Sequence, residues 1–160
     1  MKIVDRIFNT VLTADDSTEQ EELGSFRFED GNIYKYVQFK DSITAIEGAP
    51  VLLDGTYNYK VTCDVDGGVT AVNAIVGVAL TTNQPDYYGW IQIYGHGKVA
   101  TTDYFTAGDL MLAHASTDLY WVKGVTVSTS ACTEHKYGAV LLENAGTDAT
   151  ATVQAFIRCM

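Results

Sequence analysis

The chain has 160 residues, 47% hydrophobic and 19% charged, which suits one soluble domain with its own core. Its 20 acidic and 10 basic residues give a formal net charge of -10, which argues against nucleic acid and against anionic membrane surfaces, since both are held by clustered Lys and Arg. The three cysteines (Cys63, Cys132 and Cys159) form no C-x-x-C pair, so zinc and dithiol redox sites lack support and reduced thiols are expected.

In residues 1–12 the apolar pairs Ile3 and Val4, Ile7 and Phe8, Val11 and Leu12 recur about every four positions, nearer the helical period than the strand period. Asp5, Arg6, Asn9 and Thr10 interrupt them, so the segment reads as no secretory signal, and synthesis in the cytoplasm is expected. A helix this short is marginal in water and needs a surface, on its own domain or on a neighbour. Residues 13–24 carry Asp15, Asp16, Glu19, Glu21 and Glu22 and read as a solvated loop or a helical turn ended by Gly24. Residues 1–24 therefore form an arm with an acidic linker, and 25–160 form the body.

From Ser25 onward the pattern is that of strands. Phe26 and Phe28 alternate with polar neighbours, and Asp30-Gly31 supplies the positive φ of a tight hairpin. Residues 33–39 follow as the second strand. Further strands are predicted over 50–53, 57–65, 69–80, 87–94, 98–102, 110–113, 119–122, 139–143 and 150–157. Gly95, His96 and Gly97 are read as the turn of a hairpin. No internal repeat is visible. Many short strands with glycine turns indicate an all-β sandwich or small barrel. No apolar run reaches membrane-spanning length.

Signatures of catalysis are lacking. There is no G-x-S-x-G and no phosphate loop ending in Gly-Lys-Ser/Thr. Gly95-His96-Gly97-Lys98-Val99-Ala100 fits G-x-G-x-x-A, but Val99 to Thr102 favour a strand where dinucleotide binding needs a helix. Asp64, Asp66 and Gly67 suggest a calcium loop, yet aligning Gly67 puts Thr62 first and Asn73 last, where Asp and Glu are needed. His96, His114 and His135 are scattered. Cys132 and His135 lie in a polar stretch that reads as loop. No catalytic, metal or cofactor residue is assigned. The candidates for protein contact are Ile3, Val4, Ile7, Phe8, Val11 and Leu12 in the arm, and Tyr88 and Trp90 on an aromatic strand.

Four segments in order carry a resemblance. They are Leu23-Gly24 with Asp30-Gly31 and Tyr34-Lys35-Tyr36-Val37; Gly77-Val78-Ala79 with Tyr88-Gly89-Trp90-Ile91-Gln92 and Gly95; Ala107-Gly108-Asp109; and the strand pair 138–143 and 151–157. In these the chain resembles the small capsid decoration (auxiliary head, or cement) proteins of tailed bacteriophages. The resemblance implies a small β-barrel or β-tulip body on the outer face of an icosahedral head. It also implies a homo-trimer bound to the major capsid protein, stabilising the shell without catalysis or cofactor. The chain departs from the shorter members in residues 1–22 and in the loop 126–135. The competing reading is a head-fibre or adhesin-like β module that binds carbohydrate or a host surface, and an enzyme of unrecognised type is the third.

Overall fold

The computed structural model describes residues 8–40, 43–54, 59–64, 75–102, 104–113, 118–124, 137–145 and 151–159. Among them are eleven strands and no helix: β1 Asp15–Asp16, β2 Phe26–Glu29, β3 Asn32–Phe39, β4 Pro50–Leu53, β5 Lys60–Thr62, β6 Ile75–Ala79, β7 Tyr88–Thr101, β8 Leu110–Ala113, β9 Trp121–Lys123, β10 Ala139–Leu141 and β11 Ala151–Arg158. The all-β expectation holds. The described part of the arm, from Phe8 to Leu12, is irregular, and the rest of it lies outside the described residues. The β2–β3 hairpin turns at Asp30 and Gly31 with φ of 51° and 80°, the two left-handed residues its Asp-Gly signal predicted.

β7 corrects the sequence reading. The glycines expected to turn a hairpin lie within one strand of 14 residues. β11 pairs with it without a break from Tyr94 to Thr101, opposite Arg158 to Ala151. Gly95 has φ 103°, and a side chain there would run into Asn32. The buried Gln92 amide donates to the carbonyls of Tyr94 (3.2 Å) and His96 (2.8 Å), flanking this residue. The glycines thus allow a bend and a close approach inside a strand, and the ladder on β11 overrides their turn preference.

The length of β7 lets it serve two barrels. β3 pairs with the first half of β7, then β7 with β6, β6 with β4 and β4 with β5, all antiparallel, and β5 returns parallel to β3. This closes a five-stranded barrel. The second half of β7 pairs with β11, β11 with β10, β10 with β8 and β8 with β9, all antiparallel, and β9 returns parallel to β7. A second five-stranded ring therefore closes with the same order of pairings.

The correspondence extends to register. Leu52 faces Thr62 as Leu112 faces Val122, and Pro50 faces Val78 as Leu110 faces Val140. The bridge Ala45–Asn83 matches Phe105–Ala145. Gly48 donates its N–H to Ala79 (2.9 Å) as Gly108 does to Leu141 (2.8 Å). Even rare positive φ values recur, at Tyr59 (64°) and Leu119 (72°). The chain contains an internal structural repeat that its sequence does not display.

The repeat is hidden because the two cores exchange large and small residues. The pair Ala79–Ile91 in the first ring becomes Leu141–Ala155 in the second. Phe39 with Ala45 becomes Thr101 with Phe105, all four fully buried. Filling each interior to crystal-like density constrains summed volume, not the residue at each place. The first core gathers Val37, Phe39, Val51, Val61, Ile91 and Ile93; the second gathers Val99, Phe105, Met111, Trp121, Leu141 and Ile157.

A turn of the first ring joins it to the second. The carbonyl of Gly48 accepts the backbone N–H of Ala100 (2.9 Å) and the indole N–H of the fully buried Trp121 (2.8 Å). Any side chain at residue 48 would meet the Ala100 nitrogen at 2.7 Å, so this contact requires glycine, as does its φ of 84°.

Candidate interaction site

The outer face of the β3–β7 pair carries Tyr34, Tyr36 and Trp90, covered by Phe8, Leu12, Leu23, Leu80 and Tyr88. Strand alternation sends these aromatics outward while Val37, Phe39, Ile91 and Ile93 fill the barrel. Trp90 is fully buried at the centre. Its ring meets Phe8 edge-on at 5.1 Å and Tyr36 at 5.2 Å, and Tyr36 stacks on Tyr88 at 6.4 Å. Burial pushes the pKa of the Tyr36 hydroxyl above its ordinary value, and that hydroxyl accepts the backbone N–H of Gln20 (3.3 Å).

Polar groups fasten the cover. The Thr10 hydroxyl accepts the Trp90 indole N–H (2.8 Å) and donates to Glu21 Oε1 (3.2 Å). The same carboxylate oxygen accepts the backbone N–H groups of Asn9 (2.6 Å) and Thr10 (3.0 Å). Arg27 donates to the Thr10 carbonyl (2.9 Å) and to Glu29 (2.7 Å), with its guanidinium 5.5 Å from the centre of the Phe8 ring. The segment expected to be a solvated linker is therefore part of the fold. Glu21 is buried, and β1 pairs with β7 while Asp15 caps the backbone of Gln84 at 3.1 Å.

Of the residues expected to contact partners, Phe8 and Leu12 pack on their own barrel, Trp90 is buried beneath them and Tyr88 is half-buried beside them. Val11 is 67% exposed. Ile3, Val4 and Ile7 lie outside the described residues. The cluster brings four of the named positions, Phe8, Leu12, Tyr88 and Trp90, into one region, with the described part of the arm lying on its own chain. Sequence reasoning missed Thr10, Glu21 and Arg27, whose roles depend on contacts between segments remote in sequence. It also missed the exposure of Phe26 and Phe28, on the edge strand β2.

Among the described residues the titratable groups form no reactive constellation. Burial pushes the thiols of Cys63 and Cys159 up to about 12, so neither ionises near neutral pH. No cluster of three metal-ligating side chains occurs among the described residues. His96 is exposed on β7, edge-on to Phe156 at 5.5 Å. Cys132, His114 and His135 lie outside the described residues, as does most of the calcium-like stretch. No helix of the described residues is long and apolar enough to cross a membrane.

The fold and this site define an all-β protein of two rings fused through one strand, with an N-terminal segment clamped over an aromatic face. The chain matches no known family and no curated protein. One solved structure similar to it is the N base of the head fibre gp8.5 of bacteriophage phi29, at 12% identity and a TM-score of 0.49, covering 79% of this chain and 93% of that one.

Proposed function

We propose that the protein is a non-enzymatic virion structural protein that binds the outer surface of an icosahedral phage capsid and stabilises it. The observation that carries this reading is where the four resembling segments fall. They are the β2–β3 hairpin, the β6–β7 pair around the Trp90 clamp, the Gly108 turn before β8, and the closing β10–β11 pair. The segments that carry the resemblance thus contribute strands to both rings. The net charge of -10 suits the outside of a DNA-filled shell better than its inside. In this reading the major capsid protein is the partner, and the assembled unit on the lattice is a trimer.

Electron microscopy of the parent particle, with and without this protein, tests the proposal. A decoration protein adds density at every equivalent lattice position, and its removal lowers the temperature at which heads rupture. Density confined to a few projecting appendages would favour the head-fibre or adhesin reading. Particles that lack the protein altogether would overturn both.

A further inference from the structure

β2 is an edge strand. Among the described residues it pairs only with β3, and it presents Phe26 (49% exposed) and Phe28 (74% exposed) on one face, with Arg27 and Glu29 on the other. It carries no Pro, Lys or bulge, and its two charged residues, Arg27 and Glu29, are of opposite sign, so they do not repel a second copy as like charges on an edge would. In a two-residue hairpin the residues flanking the turn form a hydrogen-bonded pair, here Glu29 and Asn32. Alternation along the ladder then points the N–H and C=O groups of Phe26 and Phe28 away from β3, to the free edge. Beside Phe28 lies an open cavity of about 340 Å³, lined also by Ile33, Tyr94 and the hairpin tip.

We propose that this edge is an interface for a second copy of the chain, with the two β2 strands antiparallel across a two-fold axis through Phe28. The occupant follows from self-complementarity. Placing Phe28 opposite its twin sets Arg27 of each copy opposite Glu29 of the other, twice, so the Arg27–Glu29 pair within each strand meets its inverted twin in a cluster of two guanidinium groups and two carboxylates. The outward backbone groups of the two Phe28 residues then bond to each other. The neighbouring register, Phe26 opposite Phe28, sets Arg27 against Arg27 and is disfavoured. The exposed phenylalanines come together on one face and cover the cavity mouths. A two-fold contact of this kind requires one patch to match itself, and the alternation of Phe, Arg, Phe and Glu does so. This inference does not depend on the virion reading.

Sedimentation equilibrium of the full chain tests it, at about 0.15 M salt, where a Debye length of about 8 Å screens the repulsion between two acidic copies. The wild type should show a monomer–dimer equilibrium, and Phe28→Glu should weaken it at least tenfold. Arg27→Glu and Glu29→Arg should each be monomeric, because like charges then face one another. Their equimolar mixture should form a heterodimer, since two carboxylates on one strand meet two guanidinium groups on the other. Circular dichroism checks that each variant is folded. Should Arg27→Glu fail to fold, Phe28→Glu and Glu29→Arg still decide. A wild type that stays monomeric, a dimer or trimer untouched by Phe28→Glu, or folded charge variants that do not associate when mixed would overturn the proposal.

Discussion

Replacing Thr10 by Val tests whether the N-terminal segment is held by a specific polar clamp or only by apolar contact. Val keeps the shape and removes the hydroxyl, which accepts from Trp90 and donates to Glu21. Trp90 is fully buried, so its indole N–H is left without that acceptor, at a cost of about 1–3 kcal/mol. Near this chain length, each kcal/mol moves the melting temperature by about 2–4 °C, so a fall of about 4–8 °C is expected for a mid-range loss. Thr10→Ser, which keeps the hydroxyl, should lose much less. The chain has two tryptophans, so a Trp121→Phe background leaves Trp90 as the sole reporter. In that background Thr10→Val should shift native emission to the red as water reaches the indole. A Thr10→Val variant that melts within about 1 °C of its parent, with unchanged emission, would refute the clamp. So would a Thr10→Ser variant that falls as far.

The internal repeat provides a matched pair of substitutions. Gly48→Ala combines a left-handed φ with a backbone collision and should cost about 2–5 kcal/mol, whereas Gly108→Ala, with nothing within 4 Å, should cost only the conformational strain of about 1–2 kcal/mol; urea unfolding of both variants checks the order. Cys63 and Cys159 should resist alkylation at pH 8 in the folded protein, and all three thiols should label after unfolding without reductant; fewer than three labels would reveal a disulfide. Asp109 has its pKa held below the ordinary 3.8, first by hydrogen bonding to Lys123 and then by the backbone of Thr106. Its contribution is therefore present above the ordinary carboxylate pKa and lost as pH falls through the lower folded value. Melting temperature followed from pH 5 down to 2 should decline less steeply in Asp109→Asn than in the wild type.

Strand content was legible because it rests on local signals. Alternation marked β2, and Asp30-Gly31 marked a hairpin turn that, among the described residues, both sequence and structure show. The reading failed where a local signal met a long-range partner. Gly95 and Gly97 carry turn chemistry, but eight consecutive pairings with β11 hold them in a strand. The acidic residues 15–22 look solvated, but Glu21 gathers Asn9 and Thr10, and Asp15 gathers Gln84. Nothing within a window of ten residues reports either contact. The candidate site was only half legible for the same reason: Trp90 and Phe8 stand out by type, while the Thr10 that joins Trp90 to Glu21 is an ordinary threonine in sequence.

The two rings explain why aromatic content was a poor guide to a binding surface here. Counting along matched strands, the outward pair Tyr36–Trp90 of the first ring corresponds to Lys98–Gln154 of the second. Tyr88 corresponds to Thr152, and Lys98, Thr152 and Gln154 are all exposed. One face is aromatic and lies under the arm; its counterpart is polar and in water. The sequence differs between the repeats where the covering differs, which ties the aromatic cluster to the arm of the same chain. Phe26 and Phe28, two of the large apolar residues that face solvent and the two that share one strand face, stand on β2, which precedes the first ring and has no counterpart in the second pairing circuit. An apolar face that neither repeat needs for its own closure is the better candidate for contact between molecules, and the alternating charges beside it supply the specificity.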